Sequence, residues 1–600
     1  MKALRGADII ELRRMSDGTK GKKNMKMQRM GPKILTCMKG YGTGQLKKDA
    51  AAGVLVAVIA FPLSVALAIA SGMSPERGLY SAVIGGFFVS LLGGSKVNIG
   101  GATAATVMTV FTIVEEFGLT GLAVAGIMAG IFLILMGLLR FGALLKYIPR
   151  TITLGFTAGI AMGIFSGQLK GFFGLEMGDI PVKVMDKFIA YAGVMHTISL
   201  PSLAVGAAAL AILILLPKIT SRVPASLVAI LVTTPAVMIL KLDVATIRSV
   251  YGTLPSHFPE FALPAVTWSL IEALIPSAVT LAILIAIVSL LACVVTDGLL
   301  GERHDSNQEL IAQGVANIFC GFFGAVPVAG AVARASGSVK NGGRTPVAGL
   351  VHSVTVLLVL LFLMPLAGYI PIPVLSAVLI MVAYNMSSWR EFVFMAKHAP
   401  KSDFAVLMVT FVSGVLVDLL FAVEMGVMMS AILFMRRMSD VTKVREWEYG
   451  AEDDPGSLRL RRVPHHTVVY EIEGPVFFAT VDEMMNITAG PRTKVMILRM
   501  RGVPSIDITA LQHMEDFLNR CESRHITLLL SHVNSHPREV MEKAGIAKRI
   551  GEENFCENID AALRRAEQII SEDVGVKRSF DPYDTGLLRT SCSRNPQKHL

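Results

Sequence analysis

Charge is scarce in this chain of 600 residues. Asp, Glu, Lys and Arg make up 17% of it, where a soluble globular domain carries about 25%. Hydrophobic residues make up 53%, so one large part is expected in lipid. Cysteine is sparse too. Cys37, Cys293, Cys320, Cys521, Cys556 and Cys592 are scattered, with no Cys-x-x-Cys pair, which excludes a disulfide framework and a cysteine metal cluster. There is no Gly-x-x-x-x-Gly-Lys-Ser/Thr loop, no Asp-Lys-Thr-Gly, no His-Glu-x-x-His and no Gly-x-Ser-x-Gly. ATP-driven pumping, zinc peptidase chemistry and serine hydrolysis are not expected without them. Neither an enzyme activity nor a cofactor or metal is expected, and the adjacent His465 and His466 lack the spacing of a metal site.

The basic charge is local. Residues 1–48 hold 13 Lys/Arg against 3 Asp/Glu, an excess equal to the net charge of +10 for the whole chain. A basic tail beside a membrane explains this, and nucleic acid is not an expected partner. The tail has no short apolar core with a cleavage site, so it is read as a disordered cytoplasmic segment rather than a signal peptide.

What the chain does have is apolar runs, from Ala50 to about Met435. A spanning helix needs about 20 apolar residues. Candidates lie at 50–70, 78–93, 120–139, 150–170, 199–217, 224–241, 268–295, 346–367, 401–419 and 421–435, with shorter or broken runs at 103–114, 307–323, 331–339 and 372–386. These make fourteen spans. Lys and Arg should gather on the cytoplasmic side. They do so after even-numbered spans: Arg140, Lys146 and Arg150; Lys218 and Arg222; Arg303; Lys340 and Arg344; Arg390, Lys397 and Lys401; Arg436 and Arg437. The other side is poorer in them and mixed with acids, as in Glu115, Glu116, Glu176, Asp179, Lys183 and Lys187. Both termini are therefore expected in the cytoplasm, with the spans in the inner (plasma) membrane.

After Arg437 the pattern changes. Residues 438–465 read as a charged linker. Strand-like runs at Thr467–Ile472, Val495–Arg499 and Ile526–Leu530 alternate with helix-like stretches at 507–521, 536–544 and 557–570, the pattern of a small α/β domain over 466–571. Residues 572–600 read as a disordered tail.

Two glycine-rich breaks interrupt the membrane region. One runs from Gly93 to Ala104 and the other from Gly321 to Arg334. Each follows a Gly-Phe-Phe phrase (Gly86-Phe87-Phe88 and Gly321-Phe322-Phe323), and each precedes a run too short to cross a bilayer. Paired interruptions in two halves are the best sequence pointer to a transporter's midplane site. Irregular backbone at that depth is tolerated only where protein buries it or a cavity wets it. A helix starting there directs unsatisfied N–H groups and roughly +0.5 charge at whatever faces it. Gly101, Ala102, Thr103, Gly330, Ala331 and Val332 are small enough for an anion to approach the backbone. Arg334 stands a few residues into the second short run. An ionisable residue inside a membrane is functional by default, and it would add a full positive charge. Pro62 breaks span 1, and Ser64 and Thr103 offer hydroxyl donors.

These stretches resemble the SulP anion transporter family, the bacterial relatives of animal solute carrier family 26. The residues that carry the likeness are Phe61–Ala68, Arg77-Gly78-Leu79-Tyr80, Gly93–Ala105, Thr296-Asp297-Gly298 with Gly301-Glu302-Arg303-His304 and Ser306–Leu310, Gln313-Gly314, Asn317, and Pro327, Arg334 and Gly342–Pro346. They cover roughly residues 48–437, and the C-terminal part resembles the STAS domain of such transporters. The resemblance implies an all-α polytopic domain over 49–437, with two inverted repeats of seven spans. A core (spans 1–4 and 8–11) would move against a gate (5–7 and 12–14), in a homodimer. Substrate would lie between spans 1, 3, 8 and 10. One position departs from the family. Many bacterial members carry an acid in span 8 where this chain reads Ala286-Ile287-Val288-Ser289-Leu290-Leu291. Val288 cannot hold sodium or carry a proton, so exchange or uncoupled uptake is expected unless Glu272 or Glu424 substitutes.

Other groups draw plainer readings. Asp297, Glu302, Arg303, His304 and Asp305 are expected in structural ion pairs. His352 is expected as a hydrogen-bonded packing residue. In the STAS-like part Asp507 can cap a helix, which explains these residues fully; the matching loop of related bacterial regulators carries a phosphorylated serine, and here only Thr509, with Ser505 nearby, offers a hydroxyl for that role, while a cytoplasmic protein partner could dock there. The function expected is secondary transport of a small anion by alternating access. Sulfate comes first, and bicarbonate and C4-dicarboxylates follow. An uncoupled chloride-type channel and a STAS-based signalling scaffold are the rivals.

Overall fold

The computed structural model describes residues 31–143, 149–178, 181–220, 224–446, 463–480 and 487–573. The chain divides into two compact units, Met1–Ser430 and Ala431–Leu600.

The first unit is helical. Among the described residues eight helices are long and apolar enough to cross a membrane unaided, and shorter or broken elements between them bring the order to fourteen spans. Span 1 is Thr43–Ala70, with Pro62 inside it. Span 2 is Pro75–Leu92, and its middle, Ser81–Gly85, is wound as a π-turn. Spans 3 and 4 share the stretch Val107–Leu138, broken at Gly118, whose φ of 66° and ψ of −168° no helix accommodates. Spans 5 to 7 are Arg150–Phe173, Leu200–Ile219 and Ala225–Ile239. Span 8 is Trp268–Leu300, capped by Thr267. Span 9, Ser306–Phe322, is capped by Asp305, which accepts from the N–H groups of Asn307 and Gln308. Spans 10 to 14 are Val332–Lys340, Val347–Ala367, Ile372–Met386, Lys401–Leu416 and Leu419–Val441. Two amphipathic helices lie between spans, Val184–Val194 and Trp389–His398.

Particular spans pack closely together. Span 9 lies along span 4, span 8 along spans 3 and 4, and span 11 along span 1. Span 12 packs on spans 5 and 6, and span 13 on span 5. Backbones touch where spans 4 and 9 cross: a Cβ on Gly130 would sit 2.6 Å from the carbonyl oxygen of Gly314, and one on Gly314 would sit 2.5 Å from that of Gly130. Small residues permit such an approach, and dispersion rather than hydrophobic burial holds it in lipid.

The segment before span 1 differs from the expectation of disorder. Lys33–Cys37 is a short helix, and span 1 starts at Thr43 rather than Ala50. The cause is Asp49, which is buried. Its carboxylate accepts from Tyr41 Oη at 2.9 Å, Gln45 Nε2 at 3.0 Å, the Arg344 N–H at 2.8 Å and Thr345 Oγ1 at 2.7 Å. These bonds pin the front of span 1 to the turn between spans 10 and 11. Residues 1–30 and the tail from 574 lie outside the described residues, as does most of the linker.

The second unit is a five-stranded sheet of order β3-β4-β5-β6-β7. Strand β3 (Lys443–Glu446) runs antiparallel to β4 (Thr467–Glu473); β5 (Val495–Gly502), β6 (Thr527–Ser531) and β7 (Phe555–Cys556) continue in parallel. Period-two alternation sends Met496, Leu498 and Met500 to one face with Met514, Phe517 and Met541. It sends Val495 and Ile497 to the other face with Ile559, Ala562 and Leu563. The charged stretch expected to be pure linker contributes β3, an edge strand whose alternation is too polar to read.

Candidate functional site

The two glycine-rich breaks meet. Strand β1 (Gly100–Gly101) pairs antiparallel with β2 (Ala329–Gly330), Gly100 opposite Gly330 and Gly101 opposite Ala329. Beyond β1, Thr103 is extended, Ala104–Thr106 makes a tight turn and span 3 begins at Val107. Beyond β2, Ala331 is extended and span 10 begins at Val332. Span 10 has nine residues, about 13 Å of rise against a hydrocarbon core of about 30 Å. No side chain caps either start, so the leading N–H groups of both helices have no capping acceptor there.

Buried polar groups from spans 8 and 9 hold these irregular segments. Glu309 is fully buried. Its carboxylate accepts from the N–H groups of Gly94 at 2.9 Å and Ser95 at 3.1 Å, from Asn98 Nδ2 at 2.7 Å and from Gln313 Nε2 at 3.0 Å. Asn317 receives the Val328 N–H at 2.8 Å and donates to the Val328 carbonyl at 2.9 Å. Ser289 Oγ accepts from the Gly330 N–H at 2.9 Å. A Cβ on Gly330 would sit 2.3 Å from Asn98 Nδ2, so only glycine fits there.

Arg334 lies against this strand pair and is 1% exposed. Its Nη2 donates to Ser64 Oγ at 3.0 Å, while Nε and Nη1 have no hydrogen-bond partner. A Cβ on Gly101 would fall 1.7 Å from Nη1, so glycine at 101 is what lets the guanidinium reach the strand. Pro62, two residues before Ser64, denies the Val58 carbonyl its usual helical donor. A buried cation with two unused donors is costly unless an anion completes it.

The site residues read from the sequence divide by location. Gly101 and Gly330 lie in the strand pair, Ala102, Thr103, Ala331 and Val332 follow the two strands, and Arg334 meets Ser64 and Gly101 there; Pro62 stands two residues before Ser64 in span 1. Thr103 Oγ1 faces Thr106 Oγ1 at 3.5 Å. Val288 is half-buried beside them and apolar. Glu272 and Glu424 are exposed, and the buried acids among the described residues are Asp49, Glu76 and Glu309. His352 differs from its expected role: it is fully buried, and neither ring nitrogen has a partner. Of the residues expected in ion pairs, three are found in them, with His304 Nδ1 at 2.6 Å from Asp297 Oδ2 and Lys96 Nζ at 2.5 Å from Glu302 Oε2; Asp305 instead caps span 9. In the second unit Asp507 Oδ1 accepts from the Ala510 N–H at 2.8 Å and Oδ2 from the Phe478 N–H at 3.0 Å; both oxygens serve as cap and clamp. Thr509 is half-buried in that first turn. Among the described residues no cluster of His, Cys, Asp and Glu could hold a metal.

Residues 46–410 match the sulfate permease family, and 458–562 match the STAS domain. This chain belongs to the sulfate permease family. It is an anion transporter of that family and not an enzyme. YvdB of Bacillus subtilis, provisionally named a sulfate transporter, is 36% identical over 526 residues, covering 87% of this chain and 98% of that protein. The bicarbonate transporter BicA of Picosynechococcus is 28% identical, covering 87% of this chain and 94% of the relative. The solved transmembrane domain of a cyanobacterial BicA aligns with a TM-score of 0.58 at 29% identity, covering 64% of this chain and 98% of that one. Murine solute carrier 26 family member A9 aligns with a TM-score of 0.80 at 18% identity, covering 93% and 98%. The last likeness speaks to fold alone.

Proposed function

We propose that this sulfate permease carries a small oxyanion by alternating access, with the anion held between the starts of spans 3 and 10. The observation that carries the reading is Arg334, buried with two donors unused at the point where two uncapped helices begin. Each helix start contributes roughly +0.5 charge and Arg334 a full one, so the site is matched to about two negative charges. Sulfate suits that best; C4-dicarboxylates carry the same charge on a larger body and bicarbonate carries one charge, and the names of the relatives support sulfate and bicarbonate. Spans 1–4 with 8–11 act as the mobile core and spans 5–7 with 12–14 as the gate. The chain works as a homodimer in the inner membrane with both termini in the cytoplasm. Residues 49–437 form the transport domain, 438–465 the linker and 466–571 the STAS domain. With Val288 in place of an acid, transport is anion exchange or uncoupled uptake.

The test is uptake into proteoliposomes of labelled sulfate, bicarbonate and fumarate in parallel under set ion gradients. Saturable uptake of one of them, falling at least a hundredfold in Arg334→Ala, is the expected result. Uptake that never saturates, or that Arg334→Ala leaves intact, overturns it.

A further inference from the structure

The amphipathic helix Val184–Val194 buries two polar side chains that the site above does not use. Lys187 and Tyr191 are each 4% exposed. They lie four residues apart, hence on one face and about 6 Å along the axis. Among the described residues Lys187 Nζ donates only to the weak acceptor Met108 Sδ at 3.8 Å, and it lies 3.9 Å from where a Cβ on Gly167 would be. Tyr191 Oη has no hydrogen-bond partner. No carboxylate among the described residues pairs with Lys187. The helix packs on spans 5 and 13. Met108 is the second residue of the span 3 helix, five residues beyond Thr103 and about 8 Å from it along the chain. Gly163 of span 5 leaves room for Met108, whose Sδ would be 3.7 Å from a Cβ there. The ammonium is thus enclosed between a core span and a gate span, on the side of the membrane opposite the basic loops.

We propose that Lys187 Nζ and Tyr191 Oη form a second anion-binding site, an outer station between spans 3 and 5 that a small oxyanion occupies on its way to Arg334. This rests on the transport reading above. The physical argument is the pairing of a desolvated cation with a desolvated hydroxyl donor, both lacking an acceptor, on one face beside the path. An oxyanion supplies acceptors for both and a charge for one. Separation of spans 3 and 5 on this side would open the station to solution.

The charge makes the station sensitive to pH. Burial alone pushes the Lys187 ammonium down to about 8 and the Tyr191 phenol up to about 12. The phenol remains a donor throughout, whereas the cation is present below about pH 8 and lost above it. The ionisable groups on this helix and the elements around it are Lys183 and Asp186 at its start, Arg150 and Lys170 on span 5, Lys401 and Asp403 on span 13, His196 in the turn after the helix, and Glu115 and Glu116 at the far end of span 3. None contributes to the Lys187 shift. Lys170 donates to the Gly178 carbonyl at 2.9 Å.

The experiment uses the full chain in proteoliposomes with sulfate, bicarbonate and chloride, reading half-saturating concentration and maximal rate for the anion that enters. Lys187→Gln is expected to raise the half-saturating concentration about tenfold at pH 7, and Tyr191→Phe about threefold, as loss of a charged and a neutral hydrogen bond would. Lys187→Arg stays near the parent, and maximal rates stay within about twofold. Between pH 7 and pH 9 the parent loses affinity severalfold, while Lys187→Gln is flat. Half-saturation unchanged in folded Lys187→Gln and Tyr191→Phe overturns the station, as does Lys187→Arg being as damaging as Lys187→Gln. Should Lys187→Gln fail to fold, Tyr191→Phe and the parent's pH profile decide. If none of the three anions enters, the transport reading falls and the station with it; if one enters and the variants behave as the parent, the station alone falls.

Discussion

At the scale of residues, space and charge at one point decide what the site can do. Gly101 and Gly330 are glycines because Arg334 and Asn98 occupy the volume a Cβ would need. Gly101→Ala should displace the guanidinium and lower anion uptake at least tenfold. The folded chain should survive with a loss of about 1–3 kcal/mol, the usual cost of overpacking. Transport and thermal melting measured on one preparation check both halves of that statement. Val288→Glu tests the opposite operation. A carboxylate beside Ser289 and Gly330 would offset Arg334 and offer a place for a cation. Uptake should then depend on sodium or on acid, where the parent's does not. Arg334 was legible in the sequence because a charge inside an apolar run stands out. Glu309 and Asn98 were not, since their partners are distant: 215 residues separate Glu309 from Gly94, and 211 separate it from Asn98. Lys187 read as one more charge in an outer loop, because nothing in its neighbours announces that it is buried.

At the scale of elements, the polar clamps matter more than helix propensity. Irregular backbone in the membrane needs partners, and Glu309 supplies three acceptor contacts to the segment that becomes β1, from Gly94, Ser95 and Asn98. Glu309→Gln replaces one acceptor oxygen with a donor facing donors, at a cost of about 1–3 kcal/mol per unsatisfied buried group. The expected signs are a lower melting temperature and faster hydrogen exchange at the Gly94 and Ser95 amides. Asp507→Ala removes both the cap and the clamp in the second unit. About 1–2 kcal/mol should be lost, and the Ala510 and Phe478 amides should exchange faster. The order of spans was readable because apolar length and Lys/Arg placement are properties of single segments. The break at Gly118 was placed between runs, although the helical bonding there is continuous enough to join spans 3 and 4 in one stretch. The start of span 1 was misplaced by seven residues for a different reason. Its front turn is polar in sequence and is held by Asp49, whose partners include Arg344 and Thr345, far along the chain.

At the scale of the whole molecule, the transport reading needs spans 3 and 5 to separate, while a channel of the same fold does not. The packing offers a direct way to tell them apart. A Cβ on Gly163 would lie 3.5 Å from Met108 Cγ, so cysteines at 108 and 163 come within reach of a disulfide or a short bis-thiol linker. Of the native cysteines, Cys293, Cys320 and Cys521 are buried and poorly placed to compete. If the core must move against the gate, cross-linking Met108→Cys with Gly163→Cys should stop sulfate uptake, and reduction should restore it. The single variants should be unaffected by oxidation. A cross-linked protein that still conducts at the parent's rate would mean that the anion passes without those spans parting. The convergence of spans 3 and 10 would then line a fixed pore, and Arg334 would set its selectivity rather than travel with its cargo.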